Sequence, residues 1–167
     1  KKVKLLLTIA VITFSVMLCF SMSAFALTEG DWEFKLLNNE VTITKYIGDS
    51  GVVVVPETIA GLPVTNIIGK SGTSGETVFE DCEVTLLEIK AKIKEFSRAL
   101  VWKQKNLEKV ILPEGLEVIG DMAFSGCDRL KEVNIPSTVK RIDPDAFKYC
   151  SSLSTVKLPA GIESVGG

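Results

Sequence analysis

The segment Leu107–Arg129, LEKVILPEGLEVIGDMAFSGCDR, is followed directly by Leu130–Ser152, LKEVNIPSTVKRIDPDAFKYCSS, and then by Leu153–Gly167, LSTVKLPAGIESVGG. Aligned in this way, the three segments repeat at the interval that separates Leu107 from Leu130 and Leu130 from Leu153. They share an initial leucine, a Val-x-aliphatic-Pro motif and two later aliphatic residues, and the two complete segments also share Ala-Phe and a cysteine. Self-similarity at a fixed period of this length predicts a solenoid in which each repeat forms one rung.

Upstream, the repeat becomes weaker but stays in register. Residues 84–106 keep aliphatic residues at most of the equivalent positions, whereas Lys90 replaces the proline and Gln104 replaces the cysteine. An amphipathic helix is the alternative for this stretch, because the apolar residues between positions 89 and 100 are spaced by four, three and four. The shared register favours a degenerate rung. One step earlier, Val78–Cys82 resembles Ala123–Cys127, but its cysteine lies 45 residues before Cys127 and not 46, so one residue has been deleted between the two segments.

The spacing within a rung predicts its local structure. Val110 and Leu112 alternate along a short strand and point into the core, so the residues beside them point outward. Pro113 cannot donate a ladder hydrogen bond and ends the strand. In the next rung, Asp143 is placed to cap a short helical turn that has Pro144 at its first position.

The residues before the repeats follow a different pattern. Trp32–Leu36 and Val41–Thr44 alternate between apolar and polar residues and flank Asn38-Asn39, which predicts a β-hairpin. Val52–Val55, Pro56 and the apolar stretch up to residue 67 predict a first, irregular rung, and the Gly- and Ser-rich residues 69–75 predict a loop. We expect the hairpin to close one end of the solenoid, as terminal units of solenoids must.

The N-terminal stretch up to Ala26 predicts a signal peptide. Three lysines lie at or just before the start of an uncharged apolar run, Leu5–Phe20, and Ala24-Phe25-Ala26 supplies small residues at the two positions that a signal peptidase recognises. A permanent anchor is the alternative, because Leu5–Phe25 is long enough to span a bilayer. Cleavage after Ala26 leaves a polar stretch and a chain that is exported, with membrane contact only through the signal peptide during export.

Composition excludes several function classes. Three of the 19 Lys and Arg lie in the predicted leader, which leaves 16 against 21 acidic residues, so no nucleic-acid partner is expected. The chain has no histidine, which removes Ser-His-Asp and Cys-His catalysis and the commonest zinc ligand. We therefore expect no enzyme activity, no catalytic residues, no metal and no cofactor. An odd number of cysteines, Cys82, Cys127 and Cys150, remains after the leader, which is a poor basis for a disulfide framework.

The unit LxxVxIPxxVxxIxxxAFxxC resembles the bacterial BspA-type leucine-rich repeat of surface proteins. The resemblance extends from Val52 to Gly167 and is strongest from Leu107 to Val165. It implies a secreted or cell-surface protein of the kind linked to adhesion and to binding of host or matrix proteins. The weak 84–106 rung and the partial rung 153–167 depart from the family pattern.

Together these features predict a leucine-rich-repeat solenoid of short parallel β-strands stacked with loops and short helical turns, closed by an N-terminal β-hairpin cap. The predicted divisions are a signal peptide at 1–26, the cap at 27–51 and the solenoid at 52–167. Within the solenoid, rungs 52–83 and 84–106 are irregular, rungs 107–129 and 130–152 are regular, and 153–167 is partial.

Four other features have simple structural explanations. Gly69-Lys70-Ser71 lacks the earlier glycine and the helix of a phosphate loop. Asp143 and Asp145 resemble a carboxylate pair but are explained by helix capping. Cys127 and Cys150 should lie on neighbouring rungs as free buried thiols, although their expected separation also permits a disulfide. The basic stretch between residues 90 and 105 is expected to be a solvated surface, with heparin-like anions as its functional alternative.

The remaining candidate for function is the concave strand face, a curved ladder of outward side chains of the kind that solenoids present to partners. We predict that it binds a protein or glycan of unknown identity in an adhesion-type interaction. The alternative is a non-catalytic spacer or targeting segment of a longer secreted protein such as a hydrolase. The candidate residues are Glu88, Lys109, Ile111, Glu132, Asn134, Thr155 and Lys157.

Overall fold

The computed structural model describes residues 27–68, 77–80 and 82–166. The predicted signal peptide, the loop at 69–75 and the Gly-Lys-Ser motif lie outside these residues. The described parts are built from strands and turns, and they include no helix that is long and apolar enough to cross a membrane. The strands are β1 (Leu27–Glu29), β2 (Trp32–Leu37), β3 (Glu40–Tyr46), β4 (Val52–Val55), β5 (Thr58–Ile59), β6 (Leu62–Ile67), β7 (Leu86–Ile89), β8 (Glu95–Phe96), β9 (Lys109–Ile111), β10 (Val118–Ile119), β11 (Glu132–Asn134), β12 (Arg141–Ile142) and β13 (Ser164–Val165).

A hairpin lies at the N-terminal side of the described chain. Strands β2 and β3 pair antiparallel, and Asn38 and Asn39 between them both have positive φ angles, 52° and 62°. Two consecutive left-handed residues are the requirement of the tight turns that match strand twist, and asparagine tolerates them well. The hairpin joins the rest of the molecule because β3 pairs in parallel with β6.

Two parallel ladders form the body of the solenoid. One has the order β4, β7, β9 and β11, and the other has the order β8, β10, β12 and β13. Leu87 pairs with Val110 and Val110 with Val133, so neighbouring strands of the first ladder are related by one repeat length. The step from β4 to β7 is longer than one repeat, because Val53 pairs with Leu87. Parallel stacked strands confirm the predicted solenoid.

The weak stretch 84–106 is a rung of the solenoid. It contributes β7 to the first ladder and β8 to the second, and both strands pair with the rung that follows. The amphipathic-helix alternative is therefore wrong. The apolar spacing that suggested a helix places Ile89, Phe96 and Leu100 in the core, on two strands and a turn.

The predicted short helical turns are also absent from the described chain. The Ala-Phe segments form irregular turns in which two positions per rung have positive φ, and these positions recur at the repeat interval. A left-handed residue inside the segment interrupts any right-handed helix. Asp143 thus precedes a turn that begins at Pro144, and it does not cap a helix. The recurring left-handed positions are Ala99, Met122 and Asp145 in one set and Lys103, Gly126 and Tyr149 in the other.

The core lies between the two ladders and contains a stack of aromatic rings. Phe124 stacks on Phe96 with ring centroids 4.8 Å apart and on Phe147 with centroids 5.2 Å apart, and the planes are nearly parallel in both cases. Phe96 and Phe124 are fully buried, whereas Phe147 is half-buried. A second aromatic group, Trp32 with Tyr46 and Tyr46 with Phe79, joins the hairpin to the core.

Candidate binding face

The outward side of the β4–β7–β9–β11 sheet is here called the strand face. Alternate residues of these strands, such as Val53, Leu87 and Val110, are buried, so the residues between them point away from the core. The pairing register arranges the outward residues in two rows across the sheet. One row is Val52, Leu86, Lys109 and Glu132, and the other is Val54, Glu88, Ile111 and Asn134.

Five of the seven residues predicted from sequence lie on the strand face: Glu88, Lys109, Ile111, Glu132 and Asn134. Thr155 and Lys157 are exposed but belong to no strand. Residues 153–159 form no ladder with β11, and their apolar side chains are half-buried or exposed. The apolar side chains of this segment are not fully buried against the neighbouring rung. The repeat interval in the sequence is therefore not enough to make the segment a strand.

The charged and polar residues of the strand face are largely satisfied by one another or by the backbone. Lys109 Nζ lies 2.8 Å from Glu132 Oε1 on the neighbouring strand. Leu112 N–H donates to Asn134 Oδ1 at 2.8 Å, and the Asn134 amide donates to the Leu112 carbonyl at 3.3 Å. These contacts link adjacent rungs, so a ligand at this part of the strand face would have to compete with them.

The structure adds an aliphatic patch that sequence reasoning missed. It is formed by Val52 and Val54 on β4 and Leu86 on β7, and it extends toward Ile111 on β9. Val52 is 57% exposed and Val54 is 39% exposed, while Leu86 and Ile111 are half-buried. The signal in the sequence was the run of four valines at 52–55, of which a half-buried strand can bury only every second one. Exposed aliphatic groups gathered on one surface are typical of interaction sites.

Three of the six basic residues between positions 90 and 105 pair with acidic residues of the next rung. Lys94 Nζ lies 2.7 Å from Glu117 Oε1, Arg98 Nε lies 2.9 Å from Asp121 Oδ2, and Lys105 Nζ lies 4.0 Å from Asp128 Oδ2. Each pair joins residues one repeat length apart, which the stacking of rungs brings into contact. Half of the basic residues in this stretch therefore make contacts between rungs, which weakens the alternative of an anion-binding surface.

Two exposed carboxyl groups that pair with a lysine of a neighbouring rung, Glu117 and Glu108, have lowered pKa values. The hydrogen bond from Lys94 lowers the pKa of Glu117, and the hydrogen bond from Lys131 lowers the pKa of Glu108. A carboxyl with a lowered folded-state pKa contributes stability above the ordinary glutamate pKa and loses it as the pH falls through the lowered value. Because both groups are exposed, solvent screens the contribution.

The Arg98–Asp121 pair offers a direct test of this arrangement. We expect Arg98→Asp to lower the free energy of unfolding by about 0.5–1 kcal/mol, because two carboxylates would face each other across the rung interface. The double exchange Arg98→Asp with Asp121→Arg should recover most of the loss. Urea unfolding of the two single variants and the double variant gives the coupling energy. If the losses of the two single variants simply add in the double variant, the pair contributes nothing.

The cysteines of the repeat act as buried hydrogen-bond donors. Cys127 and Cys150 are free thiols, as expected, and their Sγ atoms each donate to a carbonyl of the preceding rung at 3.2 Å, at Val101 and Phe124. Burial raises the pKa of Cys127 to about 12 and that of Cys150 to about 11, which suppresses the reactive thiolate at neutral pH. Gln104, at the same place in the weak rung, donates through its side-chain amide to the Phe79 carbonyl at 2.8 Å.

Asp143 and Asp145 also have structural partners. Arg141 Nε lies 2.8 Å from Asp143, and Lys148 Nζ lies 3.0 Å from Asp145. Within the described residues, no three His, Cys, Asp or Glu side chains are grouped so that they could hold a metal ion.

The family model described as BspA type leucine rich repeat region (6 copies) matches residues 69–167. The chain belongs to the BspA-type leucine-rich-repeat family. The match covers both regular rungs, the weak rung and the partial rung, in agreement with the constant step from β7 to β9 and from β9 to β11. A comparison with curated proteins finds no match.

Solved structures of bacterial leucine-rich-repeat proteins are similar to the chain. A leucine rich cell surface protein from Faecalibacterium prausnitzii A2-165 is 28% identical with a TM-score of 0.69, over 84% of this chain and 38% of that protein. A leucine-rich repeat protein from Bacteroides ovatus is 21% identical with a TM-score of 0.68, over 86% of this chain and 37% of that protein. The leucine rich repeat protein of T. pallidum is 24% identical with a TM-score of 0.52, over 85% of this chain and 54% of that protein. The last two likenesses show the fold alone, and the chain spans about half or less of each structure's length.

Proposed function

We propose that this leucine-rich-repeat chain is a non-catalytic binding module of a surface-type bacterial protein, and that it contacts a protein partner through the strand face. The observation that supports this role is the aliphatic patch, which lies beside polar residues, Lys109, Glu132 and Asn134, that bond to neighbouring rungs. The cell-surface description of the F. prausnitzii protein supports a location outside the cell for this chain as well.

The chemistry of the strand face favours a protein over a glycan. A glycan would have to compete for Lys109, Glu132 and Asn134 with the contacts that these residues make to neighbouring rungs. Val52 and Val54 present exposed apolar surface. Covering this surface with a partner would be favourable, because it removes apolar groups from water. An adhesion-type contact with an aliphatic segment of another protein follows from this arrangement.

The proposal is tested by measuring binding of the chain to immobilised extracellular-matrix proteins and to a glycan array. We expect saturable binding to a protein, and we expect Val54→Asp to weaken it at least about tenfold, because a carboxylate would be buried in the contact. Leu37→Asp is the matched control, since Leu37 is 69% exposed and lies in the hairpin and not in the β4–β7–β9–β11 sheet. Binding that Val54→Asp leaves unchanged would refute the aliphatic patch as the contact.

A second variant separates the aliphatic patch from the charged residues. Reversing the charges of Lys109, Glu132 and Lys157 together should change the affinity for a protein partner much less than Val54→Asp does. If the charge reversal abolishes binding and Val54→Asp does not, the partner is recognised by charge and the aliphatic proposal is wrong.

A further inference from the structure

The first parallel ladder has a free edge at β4. Strand β4 pairs with β7 on one side, and it is the last strand of its sheet in the described chain. The hairpin does not extend this ladder, because its strand β3 pairs with β6 in a different sheet. Among the described residues, the N-terminal side of the solenoid is therefore closed by a strand beside β6 and open beside β4.

Alternate residues of β4 direct their backbone groups to opposite sides. The carbonyl groups of Gly51 and Val55 accept hydrogen bonds from N–H groups of the β7 segment at 3.1 and 2.9 Å. Every second residue of the strand, counted from Gly51, thus has its backbone groups directed at β7. The N–H and C=O groups of Val52 and Val54 therefore point toward the free edge.

The two residues that face the edge differ in their hydrogen bonds. The Ser50 hydroxyl accepts from the Val52 N–H at 3.2 Å and donates to the Val52 carbonyl at 2.9 Å. A single side-chain oxygen thus takes the place of the backbone of a neighbouring strand. At Val54, no group of the described residues bonds to the N–H or to the carbonyl on this side. Such unpaired edge groups are a template for pairing with another chain.

We propose that the β4 edge accepts an extended aliphatic segment of the partner protein, which adds to the sheet as an antiparallel strand beside Val54. This inference rests on the proposed function, because the added strand would lie against the aliphatic patch. In an antiparallel hydrogen-bonded pair, one residue of the partner serves both the N–H and the carbonyl of Val54. A parallel strand would also direct an N–H group at the Val52 carbonyl, which the Ser50 hydroxyl already occupies.

The side chains of β4 favour the same occupant. Val52 and Val54 are 57% and 39% exposed on the strand face, and a residue paired opposite Val54 carries its own side chain on that face. An aliphatic residue there would remove apolar surface of both strands from water. The segment Gly69–Glu76 of the chain itself contains no aliphatic side chain that could do so. Addition of a strand to a sheet edge is a common mode of peptide recognition.

The first measurement is amide hydrogen exchange in the chain alone. The Val54 N–H should exchange at a rate within about tenfold of that of an unstructured amide, because it has no backbone partner. The Val53 N–H, which faces β7, is the control in the same strand and should be protected. Protection of the Val54 N–H in the chain alone would show that another segment of the chain or a second copy already covers the edge, and this would overturn the proposal.

The second measurement is binding of a labelled peptide of alternating valine and threonine with a lysine at each end. We expect saturable binding by fluorescence anisotropy and slower exchange of the Val54 N–H. N-methylation of the peptide's valines should weaken binding at least about tenfold, because an antiparallel strand with valines on the strand face directs their N–H groups at β4. N-methylation of its threonines is the control of equal charge and should change the affinity by no more than about twofold. No saturable binding up to about 1 mM, or an equal loss from both modifications, would overturn the proposal.

A substitution in the chain tests the role of the Ser50 hydroxyl. Ser50→Ala releases the Val52 N–H and carbonyl for a second antiparallel pair, so it should tighten binding of the unmodified peptide about threefold. Ser151→Ala is the matched control, since Ser151 is also exposed and its hydroxyl donates to the Asp128 carbonyl at 3.2 Å, outside β4. A Ser50→Ala chain that binds the peptide no more tightly than the unchanged chain would contradict pairing along this edge.

These results can be separated from the test of the proposed function. If no matrix protein binds the chain, the proposed function fails, while the peptide measurements still decide whether the β4 edge pairs with a strand. If Val54→Asp weakens binding of a matrix protein but the peptide with N-methylated valines binds as tightly as the unmodified peptide, the aliphatic contact stands and strand addition is wrong.

Discussion

Replacing Phe124 with alanine should lower the free energy of unfolding by about 3–5 kcal/mol, the range for removal of a large buried aromatic side chain. Phe124 is fully buried, and rings from the rungs before and after lie against it at 4.8 and 5.2 Å. The substitution would leave a gap between three rungs. Because each rung relies on its neighbours, the loss should spread beyond the rung that carries the change.

Urea unfolding, followed by far-ultraviolet circular dichroism, measures this effect as a shift of the midpoint. Phe147→Ala should cost less than Phe124→Ala, since Phe147 is half-buried and has one stacked neighbour. Tyr149→Ala is the control within the same turn, as Tyr149 is 72% exposed, and it should shift stability by no more than about 0.5 kcal/mol. Equal losses for Phe124→Ala and Phe147→Ala would mean that the ring stack does not determine the stability of the rungs.

The second large effect is expected at Gly120, where two rungs approach closely. A Cβ added there would lie 2.9 Å from both the Arg98 nitrogen and the Phe96 carbonyl oxygen. Both atoms belong to the backbone and cannot swing away as a flexible side chain would, and Gly120 N–H is hydrogen-bonded to that same carbonyl at 2.8 Å. Gly120→Ala should therefore force the rungs apart and destabilise the chain by about 1–3 kcal/mol.

Gly161→Ala is the matched control for this prediction. Nothing lies within 4 Å of a Cβ at Gly161, and its φ angle is not in the left-handed region. The alanine there should be neutral or slightly stabilising, because it restricts the unfolded chain. A neutral Gly120→Ala variant in urea unfolding would show that the second ladder can widen without cost.

Much of the fold could be predicted from the repeat interval. The interval places Val110 opposite both Leu87 and Val133, and it identifies the weak stretch 84–106 as a rung even though Lys90 and Gln104 depart from the motif. Gln104 shows why this worked, since it donates to a backbone carbonyl just as the cysteines of the other rungs do. The residue type at this position differs between rungs, but in each case the side chain donates a hydrogen bond to a backbone carbonyl of the preceding rung.

Other parts of the structure depend on information that the interval does not carry. The turns were expected to be helical because Asp143-Pro144 is a common helix start, but Asp145 has a left-handed conformation that Met122 and Ala99 share at the equivalent positions of the two earlier rungs. The conformation thus follows the position in the rung and not the residue type. Val52 and Val54 were missed as part of the strand face because the step from β4 to its partner strand differs from the repeat length. The predicted strand around Thr155 depended on the interval alone, and its apolar residues lack full burial.

The partners of the charged residues could have been found in the sequence. Lys94 and Glu117, Arg98 and Asp121, and Lys109 and Glu132 are opposite charges separated by one repeat length. In a stacked solenoid, residues at that separation lie on adjacent rungs at equivalent places. Each basic residue can be compared in the sequence with the residue one repeat length later. Where that residue is acidic, the sequence indicates a contact between rungs and not a surface that binds anions.

The long step between β4 and β7 has a consequence for how this protein can change over evolutionary time. The parallel pairing of Val53 with Leu87 is kept although the connection is longer than the one between later rungs. The ladder thus accommodates connections of two lengths, the longer of which carries β5 and β6. The same scaffold can therefore differ in the sequence between two ladder strands without the duplication or deletion of a whole repeat.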